Sequence, residues 1–385
     1  MRTFLVFSVQ KILLNLSQML SKLMPSINCH KNNYWLVGSV EIAGLLSGIS
    51  ASLPNSISVS FTQHKNYKNA YDISFNSVNN LFFRKMLVLI LGPCILGWYL
   101  ERVKGFIYIG NSSFLIMNYD QREYEFSKIK KSGRKLVLYL TGSDIRSASK
   151  MFELSKKLRE PNLGTIQASL DSSFASFERE KFLVKNCSII ERYSDLIFNS
   201  KTDQKSYFSK ETEPFLYFCP DRIFLDNYLK SSKTVTICHA ANEPKLKGTE
   251  VIRHTIDRLK NEGFEFDYIE LIGKNHSEIL STLEKSHICI NELYGYMPGV
   301  LSIEAMAKMC VVFTRATYEI ESDLGIDSKN AWVSITTKTL YSELKNLISN
   351  FEEIRLKAIQ GNQWAKKHAS ESVSGSVLAS KLNRI

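Results

Sequence analysis

The sequence is poor in the features that most readily settle a function. Its seven cysteines (Cys29, Cys94, Cys187, Cys219, Cys238, Cys289 and Cys310) include no close pair, and their odd number argues against a disulfide framework. They show no metal-ligand spacing, and His254, His276 and His287 have no acid or cysteine at metal-binding intervals. A reducing cytosol is the expected setting. Neither a Walker-type loop nor a Gly-x-Gly-x-x-Gly fingerprint occurs, which removes two common phosphate cradles. The uncharged stretch from Met86 to Leu100 is shorter than the roughly 20 residues that cross a bilayer, and Gly92-Pro93 interrupts it. It reads as a buried helix.

Negative charge is scarce in one half only. Residues 1–200 hold 25 Lys+Arg against 14 Asp+Glu, whereas residues 201–385 hold 24 of each, so the whole net charge of +11 lies in the first half. That asymmetry favours an anionic contact such as a membrane surface, where each basic group near the lipid contributes about 1 kcal/mol. The plain alternative is a solvated face. Without a recognisable module, nucleic acid is not an expected partner. At the N-terminus Leu5, Val9, Ile12, Leu13, Leu16, Leu20 and Leu23 recur at helical spacing, with Arg2, Lys11 and Lys22 interspersed. No small-x-small cleavage site follows, so a signal peptide is not expected. This helix either packs on the protein or lies in a membrane interface.

A chain of 385 residues, 44% apolar, exceeds what one core usually serves. Short apolar runs alternate with helical patterns almost throughout, the pattern of parallel sheets covered by helices, so the fold class is α/β. Strands are expected at Tyr34–Val37, Ile57–Phe61, Phe106–Ile109, Leu136–Leu140 and Leu196–Phe198. A helix after the first opens at Gly38-Ser39 and carries Ile42, Leu45, Leu46 and Ile49. A second series runs Thr234–Cys238, Phe266–Leu271, His287–Ile290, Val311–Thr314 and Trp332–Ile335. The mixed segment 201–233, with Pro214 and Pro220, is the expected junction. The domains are then an extension at 1–30, a first domain at 31–205 and a second at 206–364. The last helix, around Trp364 to Leu382, leaves the second domain so that 365–385 lean back on the first.

Ligands of open α/β sheets bind beyond the carboxyl ends of the strands. After Thr234–Cys238, Lys245 and Lys247 precede Gly248-Thr249 at the start of an apolar helical face, and a lysine at a helix N-terminus suits a phosphate. His239, at that strand's end, is expected to be a satisfied buried histidine, the alternative being a residue of the cleft. Beyond His287–Ile290, Tyr294-Gly295-Tyr296-Met297-Pro298-Gly299 forms a loop, and Val300 to Ala307 starts a helix containing Glu304. The glycines allow close backbone approach to a ligand, and a carboxylate there accepts paired hydrogen bonds from ribose hydroxyls.

The run Leu246-Lys247-Gly248-Thr249, then Ile290 to Glu292, then Gly299 with Glu304-Ala305-Met306-Ala307 and Val311-Val312, resembles the donor domain of retaining GT-B glycosyltransferases, particularly glycosyltransferase family 4. Thr141-Gly142-Ser143-Asp144-Ile145-Arg146, Asp195-Leu196-Ile197-Phe198, and Trp364 with His368 resemble the same enzymes more loosely. The resemblance implies two Rossmann-like domains facing a cleft. It makes Lys247 and Glu304 the catalytic pair, with Lys247 on the donor diphosphate and Glu304 on the ribose. Lys245, Gly248, Thr249, Tyr296, Gly299 and Val300 join the donor site, and Gly38, Gly142, Ser143, Asp144 and Arg146 line the acceptor side. It further implies transfer of a hexose-type sugar with retention, from a nucleotide diphosphate donor to a glycan or lipid-linked acceptor. That transfer would serve cell-surface polysaccharide or glycolipid synthesis, without a metal or other cofactor, at the cytoplasmic face of a membrane. Tyr296 stands where many relatives carry a glutamate, and Thr141 where many carry a histidine. The alternatives are a sugar-nucleotide epimerase or hydrolase on the same scaffold, and a non-catalytic scaffold protein.

Overall fold

The computed structural model describes residues 2–24, 33–62, 69–75, 80–116, 119–230 and 234–385. Cys29 lies outside the described residues, and the other six cysteines are unbridged. The first half runs α1 (Arg2–Leu23), β1 (Trp35–Ser39), α2 (Leu45–Ser52), β2 (Ser56–Ser60), β3 (Ile73–Ser74), α3 (Leu81–Tyr99) and β4 (Gly105–Ile109). It continues with α4 (Glu123–Lys131), β5 (Lys135–Tyr139), α5 (Ala148–Leu158), α6 (Leu163–Leu170), α7 (Phe177–Tyr193), β6 (Leu196–Asn199) and β7 (Glu213–Pro214). The second half runs β8 (Val235–Ala241), α8 (Pro244–Lys247), α9 (Thr249–Asn261), β9 (Phe266–Ile272), α10 (His276–Lys285), β10 (Ile288–Ile290) and α11 (Gly299–Ala307). It ends with β11 (Val311–Thr314), β12 (Val333–Ser334), α12 (Leu340–Ile348), α13 (Phe351–Ala369) and α14 (Glu371–Leu382).

The described strands form two parallel sheets, β3-β2-β1-β4-β5-β6-β7 and β12-β11-β10-β8-β9. Strands β1, β4 and β10 are buried along their whole length, which is why they read as unbroken apolar runs rather than alternating ones. In each sheet the strand order reverses once, between β1 and β4 and between β8 and β10, and a reversal leaves a crevice at the carboxyl ends. The last helical stretch is two helices broken at Ser370, and α14 packs against α2, with Gly375 seated on Ser52.

Two expectations about the first half change. Gly38 and Ser39 do not open a helix; they continue β1, with Gly38 in register with Val59 on one side and Tyr108 on the other. A Cβ on Gly38 would stand 2.8 Å from the Val59 carbonyl oxygen, so the strand approach itself needs glycine there. The helix begins only at Leu45, after Gly44 at φ 83°. The second change concerns the stretch from Met86 to Leu100. It belongs to a longer helix, α3, which is buried on one side only: Leu96 and Leu100 are in the core, while Met86 and Ile90 are exposed.

Pro93 does not break α3, because α1 takes up the backbone group it frees. Proline has no N–H for the carbonyl four residues back. That carbonyl, Leu89 O, instead accepts from Gln10 Nε2 at 3.0 Å, and Gln10 Oε1 accepts from Ile116 N at 2.9 Å. Further along, Ser17 Oγ donates to Cys94 O at 2.7 Å and Ser21 Oγ to Trp98 O at 2.8 Å. These contacts advance together along both helices, so α1 and α3 run parallel. Gly97 lets them touch: a Cβ there would run into the Leu14 carbonyl. Gly97→Leu therefore overpacks this contact and is expected to lower stability by about 1–3 kcal/mol, measured by urea denaturation.

Candidate functional site

The β8–β10 crevice is where Lys247 sits. The four-residue helix α8 starts at Pro244 and stops at Gly248, whose φ of 78° closes the turn. A Cβ on Gly248 would crowd Leu293, so the turn is packed down onto the loop after β10. Lys247 Nζ consequently lies 2.5 Å from Glu292 Oε2 and 3.2 Å from Asn291 Oδ1. The Asn291 amide then donates to Pro298 O at 2.7 Å and to Ser302 Oγ at 2.9 Å, tying the lysine to the first turns of α11. Lys245 is exposed. Thr249 is buried and its Oγ1 lies 2.8 Å from His239 Nε2, while His239 Nδ1 lies 2.7 Å from Ile290 O. A carbonyl only accepts, so Nδ1 carries the proton and the threonine hydroxyl donates to Nε2. Burial, acting first, lowers the His239 pKa and keeps the ring neutral. His239 is thus a satisfied buried histidine, and Thr249 is its partner.

Glu304 faces another space. A cavity of about 640 Å³ lies between the carboxyl ends of the two sheets. One wall is Ala43 to Ser47 beyond β1 with Asn69 to Asp72 beyond β2, and the opposite wall is His276 beyond β9 with Val300, Ile303 and Glu304 of α11. The linker residues 217–220 form its floor. Glu304 Oε1 is 2.6 Å from His276 Nε2, which fixes the carboxylate at the cavity wall. Ser302 and Glu304, two residues apart, project about 200° apart around a helix. Lys247 and Glu304 therefore approach α11 from different sides and do not line one cavity, as the resemblance implied they would.

The N-termini of α2 and α11 at this cavity already hold a protein oxygen. The Gly299 amide, at φ 74°, donates to the buried Tyr217 hydroxyl at 3.0 Å. At α2 the buried Glu41 carboxylate accepts from Leu46 N at 3.3 Å and Ser47 N at 3.1 Å, and from the Tyr71 hydroxyl at 2.9 Å. Burial first, then the Glu41 charge, raises the Tyr71 pKa. The acids of the wall, Asp72, Glu304 and Glu371, outnumber its one arginine, Arg222, and give the cavity acceptor groups suited to hydroxyl-bearing ligands.

The 142–146 loop and Tyr296 meet where the two sheets are clasped together. Arg146 Nη2 pairs with Asp203 Oδ2 at 2.7 Å and Nε donates to Asp203 O at 2.7 Å, both side chains buried. Asp203 Oδ1 accepts the Tyr296 amide at 2.7 Å, and the Tyr296 ring is buried beneath Arg315. From the second sheet, Glu321 Oε2 accepts from Ser200 Oγ, Thr202 N and Asp203 N at 2.6, 2.8 and 3.0 Å. Gly142 O accepts from Gln204 and Ser143 O from Arg179. Asp144 accepts from Thr141 N at 2.9 Å, and burial raises its pKa against those bonds. Gly38 is inside β1. None of Gly38, Gly142, Ser143, Asp144 or Arg146 lines the large cavity; Ala43, Gly44 and Ser47 do.

His276, Tyr217, Asn291, Glu292 and Asp203 were not assigned from sequence. His276 carries a usable signal, since it follows an apolar run in the same position relative to its strand as the loops after β8 and β10. Among the described residues no group of three or more His, Cys, Asp or Glu is placed to hold a metal ion.

No family model matches the chain. No curated protein matches it in sequence. Its fold is that of GT-B glycosyltransferases. Anabaena HepE, solved with UDP and glucose, superposes with a TM-score of 0.56 at 12% identity, covering 92% of this chain and 100% of that one. Sucrose-phosphate synthase from Thermosynechococcus elongatus gives 0.58 at 9% identity, with 92% and 98% covered. A trehalose-6-phosphate synthase gives 0.50 at 11%, with 92% and 99% covered.

The clasp makes a stability prediction. Asp203→Ala leaves Arg146 buried without its counter-charge and is expected to cost about 3–5 kcal/mol in chemical denaturation. The double replacement Arg146→Met with Asp203→Leu is expected to cost less than Asp203→Ala alone.

Proposed function

We propose that this protein is a glycosyltransferase that takes a sugar from a nucleotide diphosphate donor, with Glu304 receiving the ribose hydroxyls. The observation that carries the reading is the cavity between the carboxyl ends of two parallel sheets, into which Glu304 presents a carboxylate held by His276. A carboxylate at that wall accepts from a diol, and an acceptor-rich wall suits the hydroxyls of a ribose or a sugar. The HepE structure, holding UDP and glucose on the same fold, supports this choice of donor class.

The donor's negative charge has to be met elsewhere, since the cavity wall is acidic. The first turn of α11 supplies partial positive charge, its Gly299 amide resting on the Tyr217 hydroxyl, and Lys247 stands one hydrogen-bonded residue away through Asn291. As the sugar leaves, charge builds on the diphosphate, and stabilising it there lowers the barrier without a metal. Val300 contributes backbone at the cavity wall, and the exposed Lys245 lies at the outer edge. In this reading the sugar is a hexose transferred with retention to a glycan or lipid-linked acceptor at the cytoplasmic face of a membrane, for cell-surface polymer or glycolipid synthesis.

Glu304→Ala is expected to lower kcat/KM for the donor by about tenfold or more, the loss of one charge-assisted hydrogen bond, and Lys247→Met, which acts through Asn291, to lower it by less. Transfer is measured with a panel of sugar nucleotides and acceptors, and melting temperatures confirm that each variant folds. Turnover unchanged in both variants would remove the reading. Donor consumed without any acceptor would instead favour an epimerase or hydrolase.

A further inference from the structure

We propose that α1 and α3 together form a docking face for an anionic lipid bilayer, on which the protein lies without crossing it. The inference does not rest on the glycosyltransferase reading. Phe7, Leu14, Gln18 and Ser21 of α1 point inward, and the opposite stripe, Leu5, Val9, Ile12, Leu16, Leu20 and Leu23, is exposed. A helix apolar on both sides satisfies only one of them against its own protein, and the other requires an apolar environment. Because the two helices run parallel, the first turns of α3 lie beside the first turns of α1, and there Phe82, Phe83, Met86 and Ile90 are exposed as well. The row is about 33 Å long, the length of a 22-residue helix. Such an extent of contiguous apolar surface marks an interaction site.

Charge identifies the occupant as lipid. Neither helix contains a single Asp or Glu, while Lys22 lies near the end of α1 and Arg84 and Lys85 near the start of α3; Lys11 sits over the Phe7 and Tyr124 rings on the inner side. At the C-terminal margin of α1, Lys22, Lys128 and Lys131 crowd together. Partial burial first, then repulsion from Lys22 and Lys131, pulls the Lys128 pKa down. Arg102 closes that end, donating to Ser21 O and Met24 O at 3.2 and 3.1 Å. One acid, Glu101, offsets this margin, 3.6 Å from Lys22. An apolar stripe bordered by cations and nearly free of acids matches an anionic headgroup layer over acyl chains.

Both helices are long and apolar enough to cross a membrane. Their attachments decide against it. The other side of α3 buries Leu96 and Leu100 in the core of the first sheet, and Gly92 is pressed onto the Phe114 backbone. Gln10, Ser17 and Ser21 fasten α1 to α3 along its length. Spanning would carry the sheet's polar surroundings into hydrocarbon, so the pair lies flat in the interface.

The test is co-sedimentation of the full chain with vesicles of phosphatidylcholine alone or with added phosphatidylglycerol. Binding is expected with phosphatidylglycerol, weakening with salt and releasing in alkaline carbonate. Ile12→Glu with Leu20→Glu, and separately Phe83→Glu, are expected to lower partitioning by about tenfold or more at unchanged melting temperature. Lys22→Glu with Lys131→Glu is expected to weaken only the binding that depends on phosphatidylglycerol. Absence of binding by the wild type, or binding unaffected by all three variants, would overturn the proposal. So would retention in carbonate, which means insertion, and so would a stable dimer dissociated by Ile12→Glu, which gives the face to a second copy.

Discussion

Asp203 decides how the two sheets face each other. Its carboxylate neutralises Arg146 and receives the Tyr296 amide, while its own amide and that of Thr202 are held by Glu321. One short turn, residues 200–204, thereby bonds both halves at once. Around it the Leu163 amide donates to Tyr294 O and Arg315 pairs with Glu160, so the contact resists sliding as well as separation. The ions are buried, and each would be costly without its partner, so the arrangement gives one relative orientation rather than a range. The cavity wall on α11 inherits that orientation, because the loop from Tyr294 to Pro298 runs from the clasp straight into the helix.

In the proposed function, the cavity and the cationic crevice divide the work of binding an anionic, hydroxyl-rich ligand. Acids near the cavity are occupied in graded ways: Glu41 caps α2, Asp72 is drawn down by two bonds from Ser58, and Glu304 leans on His276. Lys247 is balanced by Glu292 on the other side of α11. Tyr217 links these regions, since its hydroxyl occupies the Gly299 amide from the linker between the sheets.

The helix pair shows the same logic applied to backbone. Pro93 leaves Leu89 O without its helical donor, and a buried glutamine from a distant part of the chain supplies one. Unpaired, that carbonyl would cost free energy comparable to a lost hydrogen bond. Serines at two further turns repeat the device, so α1 is held by directional bonds on its inner side. Its outer side needs no such bonds and exposes the apolar stripe from Leu5 to Leu23.

Periodicity determined a good deal by itself. Unbroken apolar runs such as Phe106 to Ile109 and Val311 to Thr314 are strands because parallel strands are buried on both faces, and their alternation with helices dictated an α/β fold. The burial of His239 was legible for the same reason, since it ends such a run. Only the tertiary structure decided which polar groups meet. Thr249, Gly299 and Tyr296 look like ligand contacts in sequence, yet His239, Tyr217 and Asp203 reach them from 10, 82 and 93 residues away. Nothing local in a sequence encodes such pairings. Likewise Gly38 remains strand because two neighbours pair with it, and α3 survives Pro93 because Gln10 satisfies its carbonyl. Local pattern fixes what each segment wants to be, while long-range hydrogen bonding and burial fix what its polar atoms are free to do.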